Sequence, residues 1–214
     1  MNFSTFDHLP YRIYIRNKRQ EIVYANKLVG DFFGFGTQNL LGKKYYEILK
    51  DESFIKHLEN IDKLLLSGKA DSFAAIYEFN RYYKKADIFK VIDFICEDEE
   101  DKFIATILVE ISDAFFPNNA LKLGGIVLYD PANRTIKFHD GKEVNLTKLE
   151  NSLLFLLYEK HGEVASYDEI FLALDPYNTM NKTALKSLVL RLKKKLAIDA
   201  IQNVSMMGYR LINP

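Results

Sequence analysis

Lys182-Thr183-Ala184-Leu185-Lys186-Ser187-Leu188-Val189-Leu190-Arg191-Leu192-Lys193-Lys194-Lys195-Leu196 is the stretch from which the rest of the chain can be read. It holds six Lys or Arg and no Asp or Glu. At ~100° per residue, Leu185, Leu188, Val189, Leu192 and Leu196 fall on one face of a helix. Thr183, Ser187, Leu190, Arg191 and Lys194 fall on the opposite face, with Lys186 and Lys193 on a flank. A buried helix has no use for so many cations, and a merely solvated one mixes both signs. A cationic helix with an apolar back fits the major groove of DNA.

The neighbouring sequence supplies a setting for that helix. Downstream, Ile201 to Val204 and Gly208 to Ile212 predict a two-stranded hairpin. Upstream, Ile126–Tyr129, Thr135–Phe138 and Glu143–Leu146 read as short strands, with Asp140-Gly141 as a hairpin turn. Thr147 with Glu150 forms a capping box, and the helix it opens carries a stripe of Leu149, Leu153, Leu156 and Leu157. Ser166 with Glu169 forms a second box for a short helix reaching about Leu174, followed by a loop at Asp175-Pro176-Tyr177-Asn178.

Several of these residues also carry a family resemblance. They are Asp140-Gly141-Lys142-Glu143-Val144-Asn145-Leu146-Thr147, Glu150, Leu153-Leu154 with Leu157, Gly162 to Ser166, Arg191-Leu192-Lys193-Lys194-Lys195-Leu196 and Gly208-Tyr209-Arg210-Leu211. Residues 121–214 thereby resemble the OmpR-type winged-helix DNA-binding domain of response regulators. The resemblance implies a platform of small strands, three helices and a hairpin wing, with the third helix in the major groove. Lys182, Thr183, Lys186, Ser187, Leu190, Arg191, Lys193 and Lys194 are then the candidate DNA contacts on that helix, with Ser205, Tyr209 and Arg210 on the wing. Three departures stand out. Lys186 occupies a position that is often Asp in the family, and Leu190 one that is usually polar. Ser205-Met206 stands where the wing commonly carries Arg-Gly, so the wing exchanges a cation for Met206 and Met207.

The first half follows a different pattern. Tyr11–Ile15 and Glu21–Tyr24 alternate as strands, and a short helix follows over about Lys27–Phe33. Ser53 to Leu66 has helical period, with Phe54, Leu58, Ile61 and Leu65 on one face. Three longer strands come next, at Phe73–Phe79, Ile88–Ile95 and Phe103–Ile111. The order, together with Tyr14-Ile15-Arg16-Asn17, Glu21-Ile22-Val23-Tyr24-Ala25-Asn26, Phe33-Gly34-Phe35 and Leu40-Leu41-Gly42-Lys43, resembles a PAS domain over roughly residues 10–113. That resemblance implies a five-stranded antiparallel sheet cupping a pocket, and a role in sensing or dimerisation. Tyr24, Phe33, Phe35, Tyr46, Phe54, His57 and Phe73 are the residues that would line the pocket. A phosphorylatable receiver domain is excluded, because its strands alternate with helices and an acidic pair follows its first strand. Here the first strand ends in Arg16-Asn17-Lys18-Arg19.

The whole chain is expected to be α+β, with residues 1–117 a PAS-like domain and 118–214 a winged helix-turn-helix domain; Phe116-Pro117-Asn118-Asn119 suits the link between them. Net charge is zero overall, but residues 1–117 carry 16 Lys/Arg against 19 Asp/Glu, and residues 118–214 carry 13 against 10. The excess of cations thus lies with the basic helix. The acidic run Glu97-Asp98-Glu99-Glu100-Asp101 falls between two strand patterns and reads as a solvated hairpin loop. One cysteine, Cys96, permits no intrachain disulfide and suits a reducing interior. With no apolar run of ~18 residues, the expectation is a cytoplasmic protein without a membrane span. The scattered His8, His57, His139 and His161 offer no metal-ligand spacing, and no phosphate loop or nucleophile motif marks an enzyme. No cofactor is required. Haem-binding PAS domains place an axial histidine on the long helix, which singles out His57, although a surface or half-buried helix residue is its plainer reading. The function expected is a DNA-binding transcription regulator acting on duplex DNA as a homodimer held by the first domain, with RNA polymerase as a further partner. An interaction adaptor that has lost DNA binding, and a haem or flavin sensor, are the alternatives.

Overall fold

The computed structural model describes residues 3–79, 87–97, 101–111, 121–123, 127–175, 179–197 and 199–212. The middle of the acidic run, the link around Pro117, Gly124-Gly125 and the loop residues 176–178 lie outside them. The described residues divide into two compact units, one from 1–77 and 89–110, the other from 78–88 and 111–214.

In the first unit, β1 (Arg12–Asn17), β2 (Ile22–Ala25), β3 (Ser72–Phe79), β4 (Asp87–Glu97) and β5 (Lys102–Glu110) form one sheet in the order β2-β1-β5-β4-β3. The pairs β1–β2, β1–β5 and β4–β5 are antiparallel. The helices α1 (Lys27–Phe33), α2 (Tyr45–Ile48) and α3 (Glu52–Leu66) fall between β2 and β3 in the chain. Asn26 explains how β2 turns into α1. Its side chain caps Val29 N–H at 3.2 Å and takes Ile13 N–H at 3.3 Å, while its Nδ2 donates to the Tyr11 carbonyl at 2.7 Å. One buried amide therefore satisfies the helix start and ties it to β1. Gly34 closes α1 in the left-handed region at φ 74°.

Alternation along the strands sorts the two faces of this sheet. Arg12, Tyr14 and Arg16 share one face with their β5 partners Leu108, Thr106 and Ile104. Helices α1 and α3 pack on that face, through Phe32 against Arg12 and Asp62 against Arg16. The other face carries Ile13 and Ile15, with Tyr24 opposite Ile15. A 3₁₀ segment, Ser4–His8, brings Phe3 and Phe6 onto this second face. Their rings meet Tyr24 at 5.8 and 6.1 Å, and Phe3 meets Phe103 at 5.5 Å.

In the second unit, β6 (Leu121–Leu123), β7 (Val127–Asp130), β8 (Thr135–Phe138) and β9 (Glu143–Asn145) make a four-stranded sheet in chain order. α4 (Lys148–Glu159) follows, then β10 (Ala165–Ser166), α5 (Tyr167–Leu174), α6 (Lys182–Leu196) and a hairpin of β11 (Ile201–Val204) and β12 (Gly208–Leu211). β12 lies between β10 and β11 in a three-stranded sheet. Both expected capping boxes form, at Thr147/Glu150 and Ser166/Glu169. The core is Leu153, Leu154, Leu157, Ile170, Leu185, Leu188, Leu192, Leu196, Ile201 and Leu211, all buried.

The expected α4 stripe needs one correction. Leu149 is 38% exposed, whereas Asn151 is buried. The cause is Tyr129, whose buried hydroxyl donates to Asn151 Oδ1 at 2.7 Å, while Asn151 Nδ2 donates to the Pro131 carbonyl at 3.1 Å. A satisfied polar pair holds a core position that pattern alone gives to leucine.

Candidate nucleic-acid interface

Asn181 opens α6 by accepting Ala184 N–H at 2.9 Å, and Ala197 ends it in the left-handed region at φ 56°. Leu185, Leu188, Val189, Leu192 and Leu196 are buried, and Lys182, Thr183, Lys186, Ser187, Leu190, Arg191 and Lys194 are exposed. The face assigned to DNA is thus continuous and open. Its cations differ in what already holds them. Lys195 Nζ donates to Glu150 Oε2 at 2.7 Å and to the Asn145 carbonyl at 2.9 Å. Arg191 Nε lies 3.8 Å from Glu150 Oε1. Lys193 pairs with Asp199 at 2.9 Å on the surface, and Lys182 stands 5.0 Å over the Tyr167 ring. Lys186 and Lys194 have no ion pair among the described residues.

Glu150 is the organiser of this surface. Burial pushes its pKa up, but the Lys195 hydrogen bond and the Thr147 donors outweigh burial and hold it below the ordinary carboxylate range. The same carboxylate closes the α4 cap, with Thr147 N–H donating to Oε2 at 2.8 Å. One carboxylate therefore both caps α4 and ties α6 to its start. Sequence reading found Glu150 only as a cap; its link to Lys195 spans forty-five residues and leaves no local trace.

The wing is tied down at its base. Ala165 pairs with Tyr209, and Ser166 with Gly208. A Cβ on Gly208 would stand 1.9 Å from the Ala165 carbonyl oxygen, so only glycine fits there. Ser205 and Arg210 are exposed, with Arg210 Nε donating to Gln202 Oε1 at 2.6 Å. Tyr209 is a correction. Its side chain is buried, with its ring 6.1 Å from that of Tyr167, so it supports the wing and presents no surface to DNA.

In the first unit, the seven expected pocket residues do not converge. Tyr24 lies on the other sheet face and donates to Asp7 Oδ1 at 2.7 Å. Tyr46 is 62% and Phe35 43% exposed. Phe33 meets Phe32 at 5.1 Å, and Phe73 is buried. Phe54 and His57 do come together, around Tyr77: the Phe54 and Tyr77 rings are 5.5 Å apart, and His57 Nε2 is 2.7 Å from Tyr77 Oη. His57 is fully buried, not a surface helix residue, because its place on α3 faces the sheet. Burial lowers its pKa to about 4, so the ring is neutral at ordinary pH. A haem iron would need an open approach to a ring nitrogen. Nε2 is engaged by Tyr77 and the ring is enclosed, so these residues do not fit that cofactor.

What sequence reading missed here is Arg16. It is completely buried, with Nη2 2.7 Å from Asp62 Oδ1 and 3.2 Å from Asp93 Oδ1, and with Thr106 bridging Nη1 and Asp93. The Tyr14 and Tyr45 rings flank the guanidinium at 5.0 and 5.2 Å. Burial raises the pKa of Asp93, against the pull of Arg16 and Thr106. A closed network of charges and phenols occupies the middle of the face on which the pocket was expected.

Residues 141–211 match the family model described as transcriptional regulatory protein, C terminal. No curated protein matches the chain. A Vibrio cholerae VqmA dimer, solved in the absence of its target DNA and discussed with LuxR-type receptors, is similar over 92% of this chain and 80% of its own, with a TM-score of 0.56 and 14% identity. The PAS domain of Bordetella pertussis BvgS covers 51% of this chain and 82% of its own, with a TM-score of 0.45 and 17% identity. At such identities the likeness is one of fold alone; the chain is α+β, an antiparallel sheet of the PAS type followed by the region that the family model matches.

Proposed function

We propose that the chain is a sequence-specific, DNA-binding transcription regulator in which residues 1–117 are the input and residues 118–214 the output. The observation that carries this reading is α6. Its apolar side is sealed in the core, while Lys182, Lys186, Arg191 and Lys194 stand exposed around Thr183, Ser187 and Leu190. Cations engage phosphates and set the register; the central side chains reach base edges. The family match over residues 141–211 supports the same assignment. Ser205 and Arg210 extend the contact from the wing.

The input domain is proposed to hold a homodimer, since one reading helix covers only one half-site. Phe3 and Phe6 pack onto their own sheet, which leaves Leu9, 40% exposed, open on the segment before β1. RNA polymerase is a further proposed partner. A second reading, an adaptor that binds protein instead of DNA, is favoured by the exposed Leu190, Met206 and Met207.

A gel shift and a salt titration separate the two. Lys182, Lys186 and Lys194 changed together to Ala should weaken binding to all duplexes, and the slope of log affinity against log salt should fall by about 0.9 for each phosphate no longer neutralised. The fold should survive, because none of the three lies on the buried stripe. An unchanged slope, or a wild-type chain that shifts no DNA, sinks the reading.

A further inference from the structure

Met206 stands at the apex of the β11–β12 hairpin, 94% exposed, with φ 63°. It contributes no packing to the fold, yet its position is fixed. Met207 N–H donates to the Val204 carbonyl at 3.1 Å, and the Met207 carbonyl accepts Tyr167 N–H at 3.1 Å. Gly208 is wedged against Ala165 just behind. An unbranched apolar side chain is thus held out into water on a stiff mount.

The rest of the hairpin shows what such a tip would meet. From Ile201 to Leu211 there is no Asp or Glu, and Gln202, Asn203, Ser205 and Arg210 are exposed. A surface free of negative charge and furnished with amides and one guanidinium suits the minor groove, where Asn, Gln and Arg read the A·T against G·C pattern. A cationic tip would gain there from the groove's negative potential. A methionine gains nothing from that potential. It gains by leaving water, and the place a minor groove offers an apolar side chain is between two base pairs. The cost of opening a step is least at pyrimidine–purine steps, which unstack most easily.

We propose that Met206 is an apolar wedge that enters the minor groove beside the site read by α6 and partly unstacks one flexible base step. The proposal rests on the DNA-binding reading above. It assigns the wing a role in specificity through DNA deformability, in place of a charge contact.

The test uses the full chain and a duplex that the wild-type protein selects from a randomised pool. 2-Aminopurine, which brightens when unstacked, replaces adenine at successive positions flanking the α6 site. Wild-type protein should brighten one position. Met206→Ala should lose that signal and on the order of tenfold in affinity, with its salt slope unchanged. Met206→Leu should restore the signal. Met206→Arg should raise the slope by about one without restoring it. Matching thermal midpoints confirm that each variant folds. If no position brightens under bound wild-type protein, or if Met206→Ala brightens it equally, the wedge is wrong while DNA binding stands. If wild-type protein selects no duplex, and the triple alanine variant of α6 binds the pool as wild type does, the wedge and the reading beneath it both fall.

Discussion

Arg16 and Lys186 are both cations on secondary structure, and they mark two opposite uses of charge. In the first unit, Arg16, Asp62 and Asp93 are enclosed together, each answering another, with Thr106, Tyr14 and Tyr45 filling the remaining directions. In the second unit, Lys186, Lys194 and Lys182 face water, and the buried carboxylate Glu150 restrains their neighbours Lys195 and Arg191. Enclosed charge has had its desolvation cost met inside the fold, so its removal is a stability event. Displayed charge has kept its hydration, so its removal should be felt by a partner and barely by the fold.

The largest expected effect follows from opening the enclosed network. Asp62→Ala should destabilise the protein by about 3–5 kcal/mol in urea unfolding, because Arg16 is left short of a buried partner. Replacing Arg16, Asp62 and Asp93 together by apolar residues of similar volume should cost less than the single change. A triple variant as unstable as Asp62→Ala would show that shape, not charge, decides this region.

His57 offers the next test. Its pKa falls from 6.5 in the unfolded chain to about 4 in the folded one, through burial. The unfolded chain takes up the proton first, so the contribution is complete above pH ~6.5 and is lost as pH falls toward 4. The loss amounts to about 3 kcal/mol over that window. Asp93 works in the opposite sense, since burial raises its pKa and its protonation favours the folded state. Stability curves of wild type and His57→Gln against pH should differ in slope between pH ~4 and 6.5 and run parallel above it. Equal slopes would mean that the ring is not held neutral.

On the displayed side, changing Thr183, Ser187 or Leu190 should cost about 1–3 kcal/mol at the preferred sequence for each base edge no longer read. Selected sequences should change while thermal midpoints stay put. A uniform weakening across all sequences would place those side chains on the backbone of DNA. The smallest effect belongs to Lys193 and Asp199, an exposed pair whose double replacement should shift stability by under about 1 kcal/mol.

How far the sequence could be read follows the same division. The ends of α6, both capping boxes, the wing strands and the succession of strands and helices along the first domain were legible, because each element is written within about fifteen residues in periodicity, caps and turns. The displayed face of α6 was legible for the same reason. Arg16 was not. In the run Arg16-Asn17-Lys18-Arg19 it looks like part of a solvated turn, and its partners stand at 62, 93 and 106. Asn151 failed as a pattern for the same reason, since Tyr129 decides its burial from another element. The three-residue β6 was missed, whereas β9, as short, was found because the Asp140-Gly141 hairpin turn announces it. Tyr209 was misread through its motif: the tyrosine of Gly208-Tyr209-Arg210 is there for Tyr167, not for a ligand.

Gly208 has a genetic consequence. Its hydrogen is the only substituent that the Ala165 carbonyl tolerates, and the residue sits two places from the wing tip. Any side chain there would push β12 away from β10 and shift the apex two residues away. A screen for lost operator binding would then recover substitutions at a position that touches no nucleotide. Second-site suppressors would be sought among the residues packed against β10 and α5, not among the exposed lysines. The two ways of losing regulation would thus map to separate places on the chain: one in the reading surface, the other in the mount that aims it.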